Sequence, residues 1–208
     1  DGVHISTTLV RSAPSVLGAG FVQSLGWDMT RELAALRTWN LEEAKKSSKE
    51  RTFELVTKGV SFGSVTVFPD GRVDTSKVQG LDADLVVKPF GWKGNVARLR
   101  RFVEEASRVH FGIQSTYLTE RHREAPDTAR LGAGPNWFDP DGDGVTKELP
   151  EGVLTTGAVY MAMLESPSIM PPHDETLRDV WARGNVNFEK FGCASCHRQD
   201  MPITLGLQ

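Results

Sequence analysis

Apolar residues recur every three or four positions from Asn95 to about Phe111, where Val96, Leu99, Val103 and Ala106 share one face of a predicted helix. The next position in that phase is His110, which the pattern therefore places on the buried side, and Gly112 supplies the stop. Upstream, a small-residue apolar stretch from about Ala13 to Leu25, with Gly18 and Gly20, suits close packing. Thr30 reads as the cap of a helix that carries Leu33, Leu36 and Leu41 and continues through the charged run Glu42 to Arg51. The middle switches to alternation: Ser64 to Phe68, a Pro69-Asp70-Gly71 turn, then Arg72 to Thr75, which predicts a β-hairpin. Leu85-Val86-Val87 reads as a short third strand. Beyond a Gly-, Pro- and Asp-rich loop reaching Pro150, one helix runs to Glu165. A last helix, capped by Asp174, carries Leu177, Val180, Trp181 and Phe188 toward the C-terminus. The expected fold class is mainly α with a small β-hairpin insertion. Residues 1–150 form a mixed α/β region with helix 95–111, and residues 151–208 a second part; no internal repeat is present.

Charge changes this picture little. A net charge of -3 gives the phosphate backbone of a nucleic acid nothing broad to bind, so nucleic-acid partners are not expected. Lys45-Lys46 and Arg98-Arg100-Arg101 read as solvated helix faces. No apolar stretch approaches the roughly 18 residues that span a bilayer.

The chemistry is concentrated at the C-terminal end. Phe191-Gly192-Cys193-Ala194-Ser195-Cys196-His197 contains a Cys-x-x-Cys-His run, and these are the only two cysteines. That is the attachment signature of a c-type haem: two thiols add to the vinyl groups, and the adjacent histidine binds iron. A thioredoxin-like pair does not call for the trailing histidine. A zinc site would need a second ligand pair at finger-like spacing. The expected cofactor is one haem c on Cys193, Cys196 and His197, in a cytochrome c-like haem region over residues 151–208. Haem c is attached outside the bacterial cytoplasm, so a periplasmic or otherwise exported location is expected. The start at Asp1, without an apolar leader, reads as processed or truncated.

A second ligand pattern lies at Asp139-Pro140-Asp141-Gly142-Asp143-Gly144-Val145. Carboxylates at alternate positions with glycine at the sharp turn let Asp139, Asp141, Asp143 and the Val145 carbonyl converge on a hard cation such as Ca²⁺. The closing EF-hand glutamate is replaced by Pro150, so Glu148 or Glu151 would have to close the shell in a loop outside the EF-hand fold. The competing reading is an Asx-rich surface turn. Mutual repulsion of three neighbouring carboxylates favours the cation.

These stretches, together with Arg11-Ser12-Ala13-Pro14 and Gly18-Ala19-Gly20, Val56 to Gly63, Pro89 to Gly94 and His110 to Gln114, cover nearly the whole chain. In them the sequence resembles the di-haem cytochrome c peroxidase-like oxidoreductases, also called thiol oxidoreductases, in the portion around their second haem. The resemblance implies a second Cys-x-x-Cys-His and a second haem, ahead of the region present here, and more chain after His197. The sequence has one such motif and ends eleven residues beyond His197, so it is expected to be either a piece of a di-haem protein with an incomplete cytochrome c-like domain, the preferred reading, or a single-haem derivative.

Two functions follow as expectations. One is a peroxidase-like oxidoreductase, fed by a redox partner protein or a second haem domain, with Gln114 or Glu104-Glu105 as candidates to move the proton that peroxide cleavage requires. The other is a non-catalytic electron-transfer cytochrome c module. The sixth iron ligand discriminates them. His110 is its first candidate, on the apolar face and in a run where the resembling family also has histidine; the alternative is a core histidine bonded to a carbonyl. His173 reads as exposed, Met161 and Met163 as core filler, and Met201 sits too close to His197 to reach the far side of the ring.

Overall fold

In the computed structural model, which describes residues 15–124, 139, 143–198 and 200–204, the first apolar stretch from Ala19 onward and the Leu33 pattern join into one helix, α1 (Ala19–Ser47). Thr30 is therefore not a cap. The backbone N–H groups it would have satisfied already bond within the helix. Its hydroxyl donates to the Gly26 carbonyl (2.7 Å) and accepts from Val87 N–H (3.0 Å). Nor does the charged run carry helix to Arg51: Ser48 turns left-handed at φ 53°, and Arg51 opens a strand.

That strand, β1 (Arg51–Thr57), pairs antiparallel with β2 (Val60–Val67) across the two-residue turn Lys58-Gly59. Both turn residues have positive φ, 50° and 74°, as a hairpin turn matched to the strand twist requires. β2 pairs in turn with β3 (Val73–Asp74) around Pro69-Asp70-Gly71, which is the expected hairpin, with a much shorter second arm. The three-stranded order is β1-β2-β3. Leu85-Val86-Val87 adds no strand. Leu85 is left-handed (φ 58°), the Asp84 carboxylate accepts from Val86 N–H, and Val87 bonds to α1 instead of a sheet edge.

The register slips between Glu54 and Val56, leaving Phe62 and Gly63 opposite Leu55. Gly63 has φ 77°, and a Cβ there would collide with the Lys77 carbonyl oxygen. Gly63→Ala thus combines backbone strain with a backbone clash. It is expected to cost about 3 kcal/mol or more in urea unfolding. A loss below about 1 kcal/mol would mean that the bulge relaxes freely.

Two apolar clusters hold these elements. Leu33 and Ala44 of α1 meet Leu55, Val65 and Val67 of the sheet and Leu85. Ala19, at the other end of α1, joins Phe90, Val96 and Leu99 in a second cluster with Phe102 and Met161 against it. Helix α2 (Leu99–Phe111) begins later than Asn95 because Phe90 and Val96 bridge first. Its leading N–H, on Leu99, is met by the Gln23 side chain of α1 at 2.7 Å. After α3 (Thr116–Glu124), helix α4 (Glu151–Ala162) packs on α2 and α1. At that crossing a Cβ on Gly20 would overlap the Ala162 carbonyl, so the small residue permits the approach. Helix α5 (Glu175–Lys190) is capped as expected: the Asp174 carboxylate accepts from Leu177 N–H at 3.1 Å. No helix among the described residues is long and apolar enough to cross a membrane. The fold is mixed α/β, with five α-helices and one small antiparallel sheet among the described residues.

Candidate functional site

The apolar stripe of α5 runs straight into the Cys-x-x-Cys-His segment. Phe191 ends the helix and Gly192 (φ 76°) redirects the chain into a single 3-10 turn, Cys193–Ser195. His197 N–H donates to the Cys193 carbonyl at 2.9 Å, which closes the loop between the first cysteine and the histidine. Both thiols are free and exposed, and so is His197, whose ring stands 6.3 Å from that of Phe188. Helix α5 contributes no buried side chain. Leu177 and Val180 of its stripe and the following Phe191 are all more than half exposed. Two thiols, an imidazole and an exposed apolar stripe on one amphipathic helix thus lie within one short segment, the donor set and lining that a thioether-linked porphyrin uses.

The segment that follows returns to the body of the protein. Arg198 donates to the Gly59 carbonyl at 2.7 Å. Thr204 donates to Asp28 Oδ2 through both its N–H (2.9 Å) and its hydroxyl (2.7 Å). Asp28 is 5 % exposed, in the middle of α1. One turn later on the same helix, Glu32 accepts from the hydroxyl of buried Thr57. The Lys58 ammonium sits between them, 2.6 Å from Asp28, 2.7 Å from Glu32 and 2.5 Å from the Thr204 hydroxyl. Its three donors have three acceptors.

Lys58 first, then the two bonds from Thr204, hold the Asp28 carboxyl down from 3.8 to about 2; Lys58 also lowers Glu32. A depressed carboxylate stabilises the fold fully above its unfolded pKa, and that contribution is lost as pH falls through the folded value. Asp28→Asn is therefore expected to lower the melting temperature near neutral pH, with the gap to the parent closing between about pH 4 and pH 2. A gap independent of pH over that range would show that the charge of Asp28 is immaterial.

His110 is exposed, contrary to the expectation from its phase. Helical periodicity assigns a face; burial needs a neighbour. α4 covers α2 near Val103, where Gly157 allows approach, but not its last turn, and Val109 and Phe111 are likewise exposed. An exposed imidazole can bond to water, so burial does not call for iron as a partner of His110. His173 is exposed as expected. Met161 packs against the second cluster, but Met163 is 77 % exposed and fills no core. Glu104 is buried and takes the Ser115 hydroxyl and Arg101, while Gln114 is buried with its backbone bonded to Glu148 and Leu149.

Of the acidic loop, Asp141 lies outside the described residues. Asp139 Oδ2 accepts from Gly144 N–H (3.1 Å) and Asp143 Oδ1 from Val145 N–H (2.7 Å). Glu148 Oε2 accepts from Gln114 N–H at 2.6 Å, which ties the end of the loop to the α2–α3 link. Asp139 Oδ1 is shielded from solvent without a hydrogen-bond partner. Among the described residues, no three His, Cys, Asp or Glu side chains converge as a metal site would require.

No protein-family model, curated protein or solved structure matches the chain. The sequence pattern singled out the haem-type motif but missed the Asp28–Lys58–Thr204 cluster. Only the Lys58-Gly59 dipeptide, a turn signal between two alternating runs, could have pointed to part of it.

Proposed function

We propose that this chain is an exported c-type haem protein in which Cys193 and Cys196 carry the porphyrin through thioethers and His197 provides an iron ligand. What carries the reading is the five-residue motif, found on one exposed turn beside an uncovered apolar stripe on α5. When bound, the haem supplies one-electron chemistry whose potential depends on axial ligation and burial. The chain's own residues hold the ring and direct the His197 imidazole. The exposed stripe of α5 would offer the ring apolar surface.

Within this reading the activity is that of a peroxidase-like oxidoreductase or part of one, in a cytochrome c-like domain, receiving electrons from a redox partner protein or a second haem domain. An electron-transfer module is the alternative, and a sixth protein ligand would decide for it. Production in a host that matures c-type cytochromes, followed by mass spectrometry of the denatured chain, should show one added haem. An unmodified chain would end the proposal. Optical spectra with and without cyanide then separate the activities: a shift on adding cyanide supports catalysis, and an unchanged low-spin spectrum supports transfer.

The same proposal extends to Ca²⁺ at Asp139, Asp141, Asp143, the Val145 carbonyl and Glu148. It is supported by the unpartnered Asp139 Oδ1, an oxygen that a cation would satisfy. Asp139→Asn is expected to lower thermal stability when calcium is present and to have little effect in excess chelator. Equal losses in both conditions would leave the loop an Asx turn.

A further inference from the structure

We infer that the Asp28–Lys58–Thr204 cluster is a tether that fixes the chain after the Cys-x-x-Cys-His motif, and so positions His197 against the β1–β2 turn; its positioning half rests on the haem reading above. Three observations lead there.

The first is that helix α5, which precedes the motif, buries no side chain, and the 3-10 turn that holds the cysteines buries none either. Little on the N-terminal side locates the motif. On its C-terminal side, Arg198 bonds to the Gly59 carbonyl and Thr204 to Asp28, so fixation comes from after the histidine.

The second is the completeness of the cluster. Lys58 has all three ammonium donors matched, two by carboxylates of α1 and one by Thr204. Asp28 Oδ2 receives Lys58 and both donors of Thr204. The side chains of Asp28 and Lys58 are each only 7 % exposed, so withdrawing the amine leaves the Asp28 carboxylate without its counter-charge in a largely buried position. Removing Asp28 removes every bond described between Thr204 and α1.

The third is the backbone at the turn. Lys58 adopts φ 50°, a conformation that lysine disfavours and that Asn or Gly would take more readily. The amine gains its three partners from that strained position. Beside it, Gly59 at φ 74° leaves room for Arg198: a Cβ there would stand 3.0 Å from the guanidinium. The turn therefore receives the incoming segment at both of its residues.

Trypsin tests the tether on the full chain, with or without haem. Cleavage after Arg198 requires local release of that segment, and its rate follows the population of the open form. Asp28→Ala and Lys58→Gly should each raise the cut after Arg198 about tenfold or more, with Lys58→Arg close to the parent. Lys58→Gly relieves the turn while removing the amine, so it stays informative if Asp28→Ala folds poorly. Equal rates in the parent and both variants would overturn the tether. The positioning role is read from the haem-loaded protein, where Asp28→Ala and Lys58→Gly should shift or broaden the midpoint potential and Lys58→Arg should restore it. Faster cleavage with an unchanged potential would overturn positioning alone. A chain that never acquires haem would remove the haem reading and positioning with it, while the tryptic rates would still decide the tether.

Discussion

Replacing Cys193 and Cys196 together by alanine is expected to abolish covalent haem attachment completely. Each thioether needs its own thiol, and the chain has no other cysteine to substitute. Either single replacement should leave one bond and a reduced yield of loaded protein, because the remaining thiol and His197 still lie on the same turn. The fold itself should be indifferent in the chain without haem. Both side chains are exposed, and exposed substitutions ordinarily change stability by about 0.5 kcal/mol or less. Mass spectrometry of the denatured chains gives the first answer and urea unfolding the second. Full haem loading of the double variant, surviving denaturation, would sink the assignment. A large stability loss without haem would mean that the thiols are structural.

Leu33→Ala should produce the largest loss of stability from a single side chain. Leu33 has no exposed surface and faces Leu55, Val65 and Val67 across the α1–sheet interface, so truncation leaves a cavity that two rigid elements cannot close. The expected cost is about 2–5 kcal/mol, a large part of the roughly 5–15 kcal/mol that holds a typical domain together. Leu177→Ala on α5 is the matched control. Leu177 is 55 % exposed, and without haem its loss should cost about 0.5 kcal/mol or less. A Leu33→Ala cost as small as that of Leu177→Ala would show that the first cluster is not the core.

What could be read from the chain beforehand was what local chemistry determines. Asp174 caps α5 and Gly112 ends α2 because each needs only neighbours a few residues away. The haem-type motif is five adjacent residues and needs no fold to be recognised. Elsewhere, tertiary structure overrode local preference. Thr30 looks like a cap, but the residues before it were recruited into α1 by packing of Gly20 against α4 and Gly26 against Pro89. Leu85-Val86-Val87 has strand composition, yet Leu85 turns left-handed to bury its side chain beneath α1. β1 was hidden because the charged run that ends the helix before it continues through its first residue, Arg51. His110 lies in the apolar phase of α2, and sequence alone does not say where α4 stops covering that face. The bond from Thr204 to Asp28 spans 176 residues, a separation at which no periodicity operates.

The continuity of α1 has a thermodynamic side. At about 1.5 Å per residue its 29 residues extend roughly 43 Å. Ala19, near one end, belongs to the Phe90–Leu99 cluster; Leu33 and Ala44, further along, belong to the sheet cluster. Helix formation propagates along a chain once nucleated, so ordering in either cluster favours the helical state that the other requires. Two small cores joined through one rod therefore behave as a single cooperative unit, melting together where separate helices would have let each melt alone.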